Sequence, residues 1–319
     1  MLKTISVSVI IPIFNPNLEY LKQALDSFFS QTLKNTELVL VDDGSCFDYS
    51  NEIKSYLSSS RVKFIKLNKN VGSGIARNEG IKAASGEYLG FLDSDDYYYS
   101  NDVLEMLYNI AVQTSLNVVG AIPYFEQNNK LSPIYWSFHN YKNLFKDQIV
   151  NIKDYQICYG YWSFIYKRDF IISNKIYFKS LRRFQDPPWF LTVLNKAQEY
   201  YAADFPYYVH REKERSEYNL TKAQLDDYIE GLNSVIKMSL KMKYYDLHTF
   251  LYRKLFFNEY LFVKESREKS NFDYSNEFNS LLKSFDFDVI KNTDKDLPLL
   301  SGMSEFDNLN LADYSNLNY

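Results

Sequence analysis

The first hundred residues alternate apolar, β-branched runs with helical segments, and that alternation limits the chain to a small set of folds. SVSVIIPIF (6–14), TELVLVDD (36–43), VKFIKL (62–67) and EYLGFLD (87–93) read as strands. Leu21, Ala24, Leu25, Phe28 and Phe29 recur at helical spacing after the first strand, and a second helix is predicted over 73–84, closed by Ser85-Gly86. Continuous apolar strands separated by helices indicate a parallel sheet covered on both faces. In such sheets ligands bind beyond the carboxyl ends of the strands. Here every one of those ends is polar: Asn15, then Asp42 and Asp43, then Asn68 and Asn70, then the crowded FLDSDD (91–96) with Asp93, Asp95 and Asp96. Four strands delivering polar groups to one edge make a site.

Past residue 100 the pattern becomes mixed. A helix at about 101–113 leads to NVVGAIPYF (117–125) and then to an irregular, aromatic-rich stretch. YWSFIYKRDFI (161–171) reads as a strand entering a helix. DPPWFLTVLNKA (186–197) reads as a helix start, since proline is tolerated in the first turn. AADFPYYVHR (202–211) is a late strand, 220–269 is helical by pattern, and the remainder is acidic with weak periodicity. This divides the chain into residues 1–216, with halves 1–98 and 99–216, and a helical region 217–319 with an acidic tail. With 36 basic and 40 acidic residues there is no basic footprint for nucleic acid. The two cysteines, Cys46 and Cys158, have no metal-type spacing and fit a reducing cytoplasm. No apolar run approaches the ~20 residues of a membrane helix.

Each polar motif has a bland reading beside a functional one. DSDD is an ordinary turn, fails as a calcium loop for want of the required Gly and closing Glu, and suits Mg²⁺ or Mn²⁺, which take one or two carboxylates plus substrate phosphates. VDDGS (41–45) is a turn signal whose carboxylates can accept from a nucleobase N–H and ribose hydroxyls. NVGSGIARNEG (70–80) lacks the third glycine of a dinucleotide fingerprint and opens the wrong helix for one. Its Arg77 suits an anionic ligand. Asp186 in RRFQDPPWF (182–190) reads as a helix N-cap or as a partly desolvated general base. His210 and Arg211 in YVHRE (208–212) are structural residues or metal and phosphate contacts.

Taken together, VSVIIPIFN (7–15), LVLVDDGS (38–45), N-x-G-x-G-x-A-R-N (70–78), GEYLGFLDSDD (86–96) and the later Gln185-Asp186 resemble the family-2 inverting glycosyltransferases of the GT-A fold. The order and spacing of all five are family-like. The match is clear over 5 to about 125, weaker to about 216, and leaves out the helical C-terminal third. It implies an α/β fold with a Rossmann-like mixed sheet flanked by helices, and a UDP-sugar donor. Pro12 and Asn15 would line the nucleotide pocket, Asp43 with Asp42 beside it would face the uracil, and Arg77 would lie near the nucleotide. Asp93, Ser94 and Asp95 match the Asp-x-Asp motif that holds ribose and the diphosphate-bound Mn²⁺ or Mg²⁺; His210, from its own place near the end of the late strand, is the further candidate metal ligand. Asp186 matches the catalytic base, although Gln185 stands where Glu is commoner.

A weaker likeness to members that build bacterial surface polysaccharides implies a saccharide or lipid-linked saccharide acceptor. Asp96, Arg211, Trp162 and Trp189 are then candidates for contacting donor or acceptor, with core packing the alternative for either tryptophan. A sugar-phosphate nucleotidyltransferase would carry a Gly-rich loop after the first strand, where this chain has NPNLEYLK (15–22). A non-catalytic UDP-sugar-binding module is the other alternative. FLYRKLFFNEYLFVK (250–264) mixes aromatic and basic residues. It suggests peripheral docking on the inner face of the membrane, or packing on the catalytic domain or on a second copy of the chain.

Overall fold

The computed structural model describes residues 4–134, 143–211, 221–255, 275–295, 297 and 299. By compactness the chain divides into two units. One comprises Met1–Ser180 with Trp189–Glu212, the other Leu181–Pro188 with Lys213–Tyr319.

The first unit is built on one mixed sheet. Its elements begin β1 (Val7–Ile13), α1 (Leu18–Phe29), β2 (Thr36–Asp42), α2 (Lys54–Leu57), β3 (Val62–Lys66), α3 (Ser73–Ala83), β4 (Tyr88–Phe91), β5 (Tyr97–Tyr98) and α4 (Val103–Thr114). There follow β6 (Val118–Gln127), β7 (Lys130–Pro133), β8 (Gln148–Asn151), β9 (Phe164–Lys167), α5 (Arg168–Ser173), α6 (Asp186–Ala197, whose first three residues are counted with the second unit) and β10 (Glu199–Arg211). The strand order is β3-β2-β1-β4-β9-β6-β10-β5, with β7 on β6 and β8 on β10. The β3-β2-β1-β4 half is parallel, as the strand–helix alternation requires. Beyond it β9 is antiparallel to both neighbours, so the sheet is mixed.

β1 is buried along its whole length, which is why its sequence is a continuous apolar run and not an alternating one. Its pairing with β4 ends at Ile10–Phe91, so Pro12, which has no N–H to donate, lies past that ladder. α1 turns Leu21, Ala24, Leu25 and Phe28 inward, and the Asn17 side chain caps it by accepting from the N–H groups of Glu19 and Tyr20. Pro206 marks the register shift in the β6–β10 ladder, where a residue without an N–H is least costly.

In the second unit, α7 (Lys222–Lys241) opens with a capping box between Thr221 and Gln224 and is followed by α8 (Tyr245–Lys254). Two short helices, Ser275–Leu282 and Phe287–Thr293, stand where the sequence shows only weak periodicity. Most of the 250–264 segment and the acidic tail lie outside the described residues. Among the described residues no helix is long and apolar enough to cross a membrane.

His248 pins this unit. Its Nε2 accepts the Asp286 N–H at 3.0 Å, which leaves Nδ1–H for Ser239 Oγ, also at 3.0 Å. Burial disfavours the imidazolium and lowers the His248 pKa. The folded value lies below the unfolded one, so stability from the neutral ring is full above about 6.5 and is lost as pH falls below it. Amide protection across 286–290, taken relative to the intrinsic exchange rate at each pH, should therefore fall between pH 7.5 and pH 5. Unchanged protection over that range would contradict this role.

Candidate active site

The turns after β1, β2 and β3 are tied together by side chains. Asn15 adopts a left-handed φ of 44°, which asparagine tolerates better than most residues. Its N–H donates to Ser45 Oγ at 3.0 Å, and its Oδ1 accepts the Cys46 N–H at 2.8 Å. Asp42 is buried, and its Oδ1 closes the following turn by accepting the Ser45 N–H at 2.9 Å. Asp43 is buried as well, with Oδ1 accepting from the Val71 N–H and Oδ2 from the Gly72 N–H, both at 2.8 Å.

Asp43 thus sets the approach to α3, whose N-cap Gly72 needs a φ of 94°. Burial raises the Asp43 pKa against the pull of these two N–H groups. Asp43→Ala should cost about 1–3 kcal/mol for each stranded N–H that stays buried. Denaturant melts would read this, and a midpoint equal to wild type would contradict the tie.

α3 carries Arg77 beneath the end of β4. Its guanidinium donates to Asp93 Oδ1 at 2.7 Å and to Ser73 Oγ at 3.3 Å, and lies 5.1 Å from the Tyr161 ring centroid. Arg77 is buried, whereas the Asp93 side chain is 26% exposed. Asp93 thus shields the buried cation while keeping a surface for ligand. Ser94 and Asp95 are half-buried beside it, and the Asp96 N–H closes the turn by donating to the Asp93 carbonyl at 3.1 Å.

Asp96 faces the other way. It is fully buried, with Oδ2 accepting from Tyr208 OH at 2.7 Å and facing His210 Nδ1 at 2.9 Å, and Oδ1 accepting the Arg211 N–H at 2.8 Å. Burial raises the Asp96 pKa, partly offset by His210. Burial also works against the His210 imidazolium, but the adjacent Asp96 carboxylate outweighs it and raises the His210 pKa. The donors around Asp96 suit its ionised form.

Several of the candidate residues are engaged within the chain. Asp96 is not placed to touch donor or acceptor, because its carboxylate is spent on β10. Arg211 is a strut: it donates to Glu126 at 3.2 Å, to Gln23 Oε1 at 2.6 Å and to the Asp95 carbonyl, with its guanidinium 4.1 Å from the Tyr20 centroid. Trp189 takes the core alternative: it is 2% exposed and stacks on Phe178 at 4.3 Å, with Phe91 and Tyr166 at its edges. Trp162 is nearly as buried, its ring parallel to those of Tyr208 and His210. Asp186 is the first residue of α6, where a carboxylate meets the positive end of the helix, and not the preceding cap.

Tyr208 and Tyr161 were not singled out from sequence. Tyr208 OH donates to Asp96 and accepts the Asp93 N–H at 3.1 Å, while Tyr161 OH lies 3.4 Å from Asp93 Oδ1. The available signal was the two-residue strand period, which puts Tyr208 and His210 on one face.

Among the described residues, no three His, Cys, Asp or Glu side chains gather closely enough to hold an ion unaided. The donor set still fits Mg²⁺ or Mn²⁺, which complete their coordination with water and phosphate oxygens. Asp95 is a half-buried carboxylate, and His210 has its Nδ1 engaged by Asp96 and its side chain 36% exposed.

The family model described as glycosyl transferase family 2 matches residues 8–173. The chain is 29% identical over 231 residues to the uncharacterized glycosyltransferase EpsJ of Bacillus subtilis, covering 70% of this chain and 66% of that protein. It is 29% identical over 220 residues to the minor teichoic acid biosynthesis protein GgaA of the same organism, covering 65% of this chain and 48% of GgaA. The chain therefore spans just under two thirds of the first relative and about half of the second. Among solved structures, S. aureus TarS 1-349 in complex with UDP-GlcNAc superposes with a TM-score of 0.72 at 23% identity, covering 89% of this chain and 82% of that one. The fold is accordingly the GT-A fold.

Proposed function

The chain belongs to glycosyl transferase family 2, and from that membership we propose that it transfers a sugar, with inversion, from a UDP-sugar to a hydroxyl of a saccharide or lipid-linked saccharide acceptor. The observation that carries this reading is the carboxyl end of the parallel strands, where Asn15, Asp42 and Asp43 hold the turns by hydrogen bonds and the buried Arg77 holds the part-exposed Asp93. Relatives named for teichoic acid synthesis and for glycosyl transfer, and a fold neighbour solved with UDP-GlcNAc, support a surface-polysaccharide role and a UDP-linked donor. Cys46, exposed, and Cys158, buried, are not joined in a disulfide among the described residues, which is compatible with a reducing cytoplasm.

In this reading Pro12, Asn15 and Asp43 line the nucleoside pocket, and the Asp43 oxygens, already held by two backbone N–H groups, present a pre-oriented acceptor edge to a base N–H. Arg77 holds Asp93 in place through the 2.7 Å contact, so that Asp93 and Ser94 meet ribose. Asp95 and His210 would hold Mn²⁺ or Mg²⁺, which when bound supplies charge neutralisation to the departing diphosphate. Asp186 takes the proton from the acceptor hydroxyl as that oxygen attacks the anomeric carbon in line with the leaving UDP.

A panel of UDP-sugars with Mn²⁺, with and without saccharide acceptors, tests the reading by UDP release. One donor should give acceptor-stimulated release. UDP binding with no turnover of any donor–acceptor pair would favour a binding module instead.

A further inference from the structure

Of the three carboxylates in the 93–96 turn, Asp96 alone is fully buried, and its partners raise a question of proton placement. An ionised carboxylate only accepts hydrogen bonds. The 2.9 Å contact between Asp96 Oδ2 and His210 Nδ1 therefore requires the hydrogen on Nδ1. In the neutral ring that leaves the lone pair on Nε2. The ring is also held in angle: it lies 14° from parallel to Trp162 with centroids 5.5 Å apart, and 5.5 Å from Phe125. Tyr208 OH, donating to Asp96 while accepting the Asp93 N–H, links the same carboxylate to the turn that bears Asp95.

We infer that Asp96 is a positioning residue that fixes His210 as the Nδ1–H tautomer, so that Nε2 is the atom offered to the divalent cation of the donor diphosphate. This rests on the reading in which Asp95 and His210 hold that cation. A carboxylate behind a ligating imidazole orients the ring and raises its basicity, and losing such a partner typically costs about 10–100-fold in metal affinity. A purely structural tie between β10 and the turn would need the same hydrogen on Nδ1, but altering it would leave Mn²⁺ affinity unchanged.

The test uses the full chain with Mn²⁺ and UDP. Electron spin-echo modulation should show nitrogen coupled to bound Mn²⁺ in wild type, and His210→Ala should abolish it. Asp96→Asn should weaken Mn²⁺ affinity about 10–100-fold and reduce that coupling, because an amide N–H facing Nδ1 drives the hydrogen to Nε2. Unchanged affinity and coupling in Asp96→Asn, with both lost in His210→Ala, would overturn the positioning role alone. Wild-type affinity and coupling in His210→Ala would overturn the metal assignment beneath it. Should Asp96→Asn not fold, nitrogen NMR of the wild-type ring, read without metal on the alkaline plateau, decides. Nδ1–H is expected, and Nε2–H would overturn the inference.

Discussion

Asp186→Asn is expected to lower sugar transfer by about 10²–10⁴-fold, the range that a positioned general base contributes, while leaving UDP affinity unchanged. The substitution keeps size and removes the basic lone pair, so it isolates the proton transfer from the fold. It also preserves the start of α6, where Pro187 and Pro188 already supply first-turn geometry without N–H groups. Single-turnover transfer beside a UDP titration separates the two effects. Transfer at the wild-type rate would remove Asp186 from the chemistry, and a parallel loss of UDP affinity would make it a binding residue.

Asp95→Ala carries the second large effect. Asp95 is half-buried at the strand end, and its backbone carbonyl is held by Arg211, so the turn should survive loss of the carboxylate. With Mn²⁺ present, UDP affinity should fall by at least the about 10–100-fold that loss of an outer-shell partner alone costs. In chelator, variant and wild type should bind UDP alike. A loss of equal size under both conditions would mean that Asp95 contacts the nucleotide directly. Arg77→Leu would behave differently, because removing one partner of a largely buried ion pair destabilises the fold itself, by up to about 3–5 kcal/mol and less for the exposed share of Asp93.

β1, β2 and β4 were legible because burial on both faces writes itself as near-continuous apolar runs, whereas β3, Val-Lys-Phe-Ile-Lys, is half-buried to exposed and was legible from its β-branched and aromatic residues. The predicted strands at 36–43 and 62–67 and the helix at 186–197 lie within a residue of β2, β3 and α6. What escaped were pieces too short to show a period, such as β5 at Tyr97–Tyr98 and β7 and β8 on the sheet margin.

The site was legible in its residues and less so in their directions. A run of neighbouring aspartates says nothing about which of them turns inward. The hydrogen bond from the Asp96 N–H to the Asp93 carbonyl closes the turn, and the polar end of β10 receives the Asp96 carboxylate. The crowding that suggested an external cation is partly answered within the chain, by the Arg77 cation against Asp93 and by the hydrogen bonds that Tyr208 and His210 make to Asp96. For Arg211 the sequence left a structural role beside a ligand contact, and for Trp189 core packing beside a sugar contact; both have their polar atoms or faces taken up by neighbouring side chains and backbone. Type alone does not distinguish a strut from a contact.

The most direct measurement of the central claim, that the strand-end surface holds a nucleoside diphosphate together with a divalent cation, is calorimetric titration of UDP into the full chain with Mn²⁺ and again in chelator. The account predicts binding that is tightened at least tenfold by Mn²⁺ and that loses this gain in Asp95→Ala. UDP binding of equal strength under both conditions, or no binding under either, would contradict it.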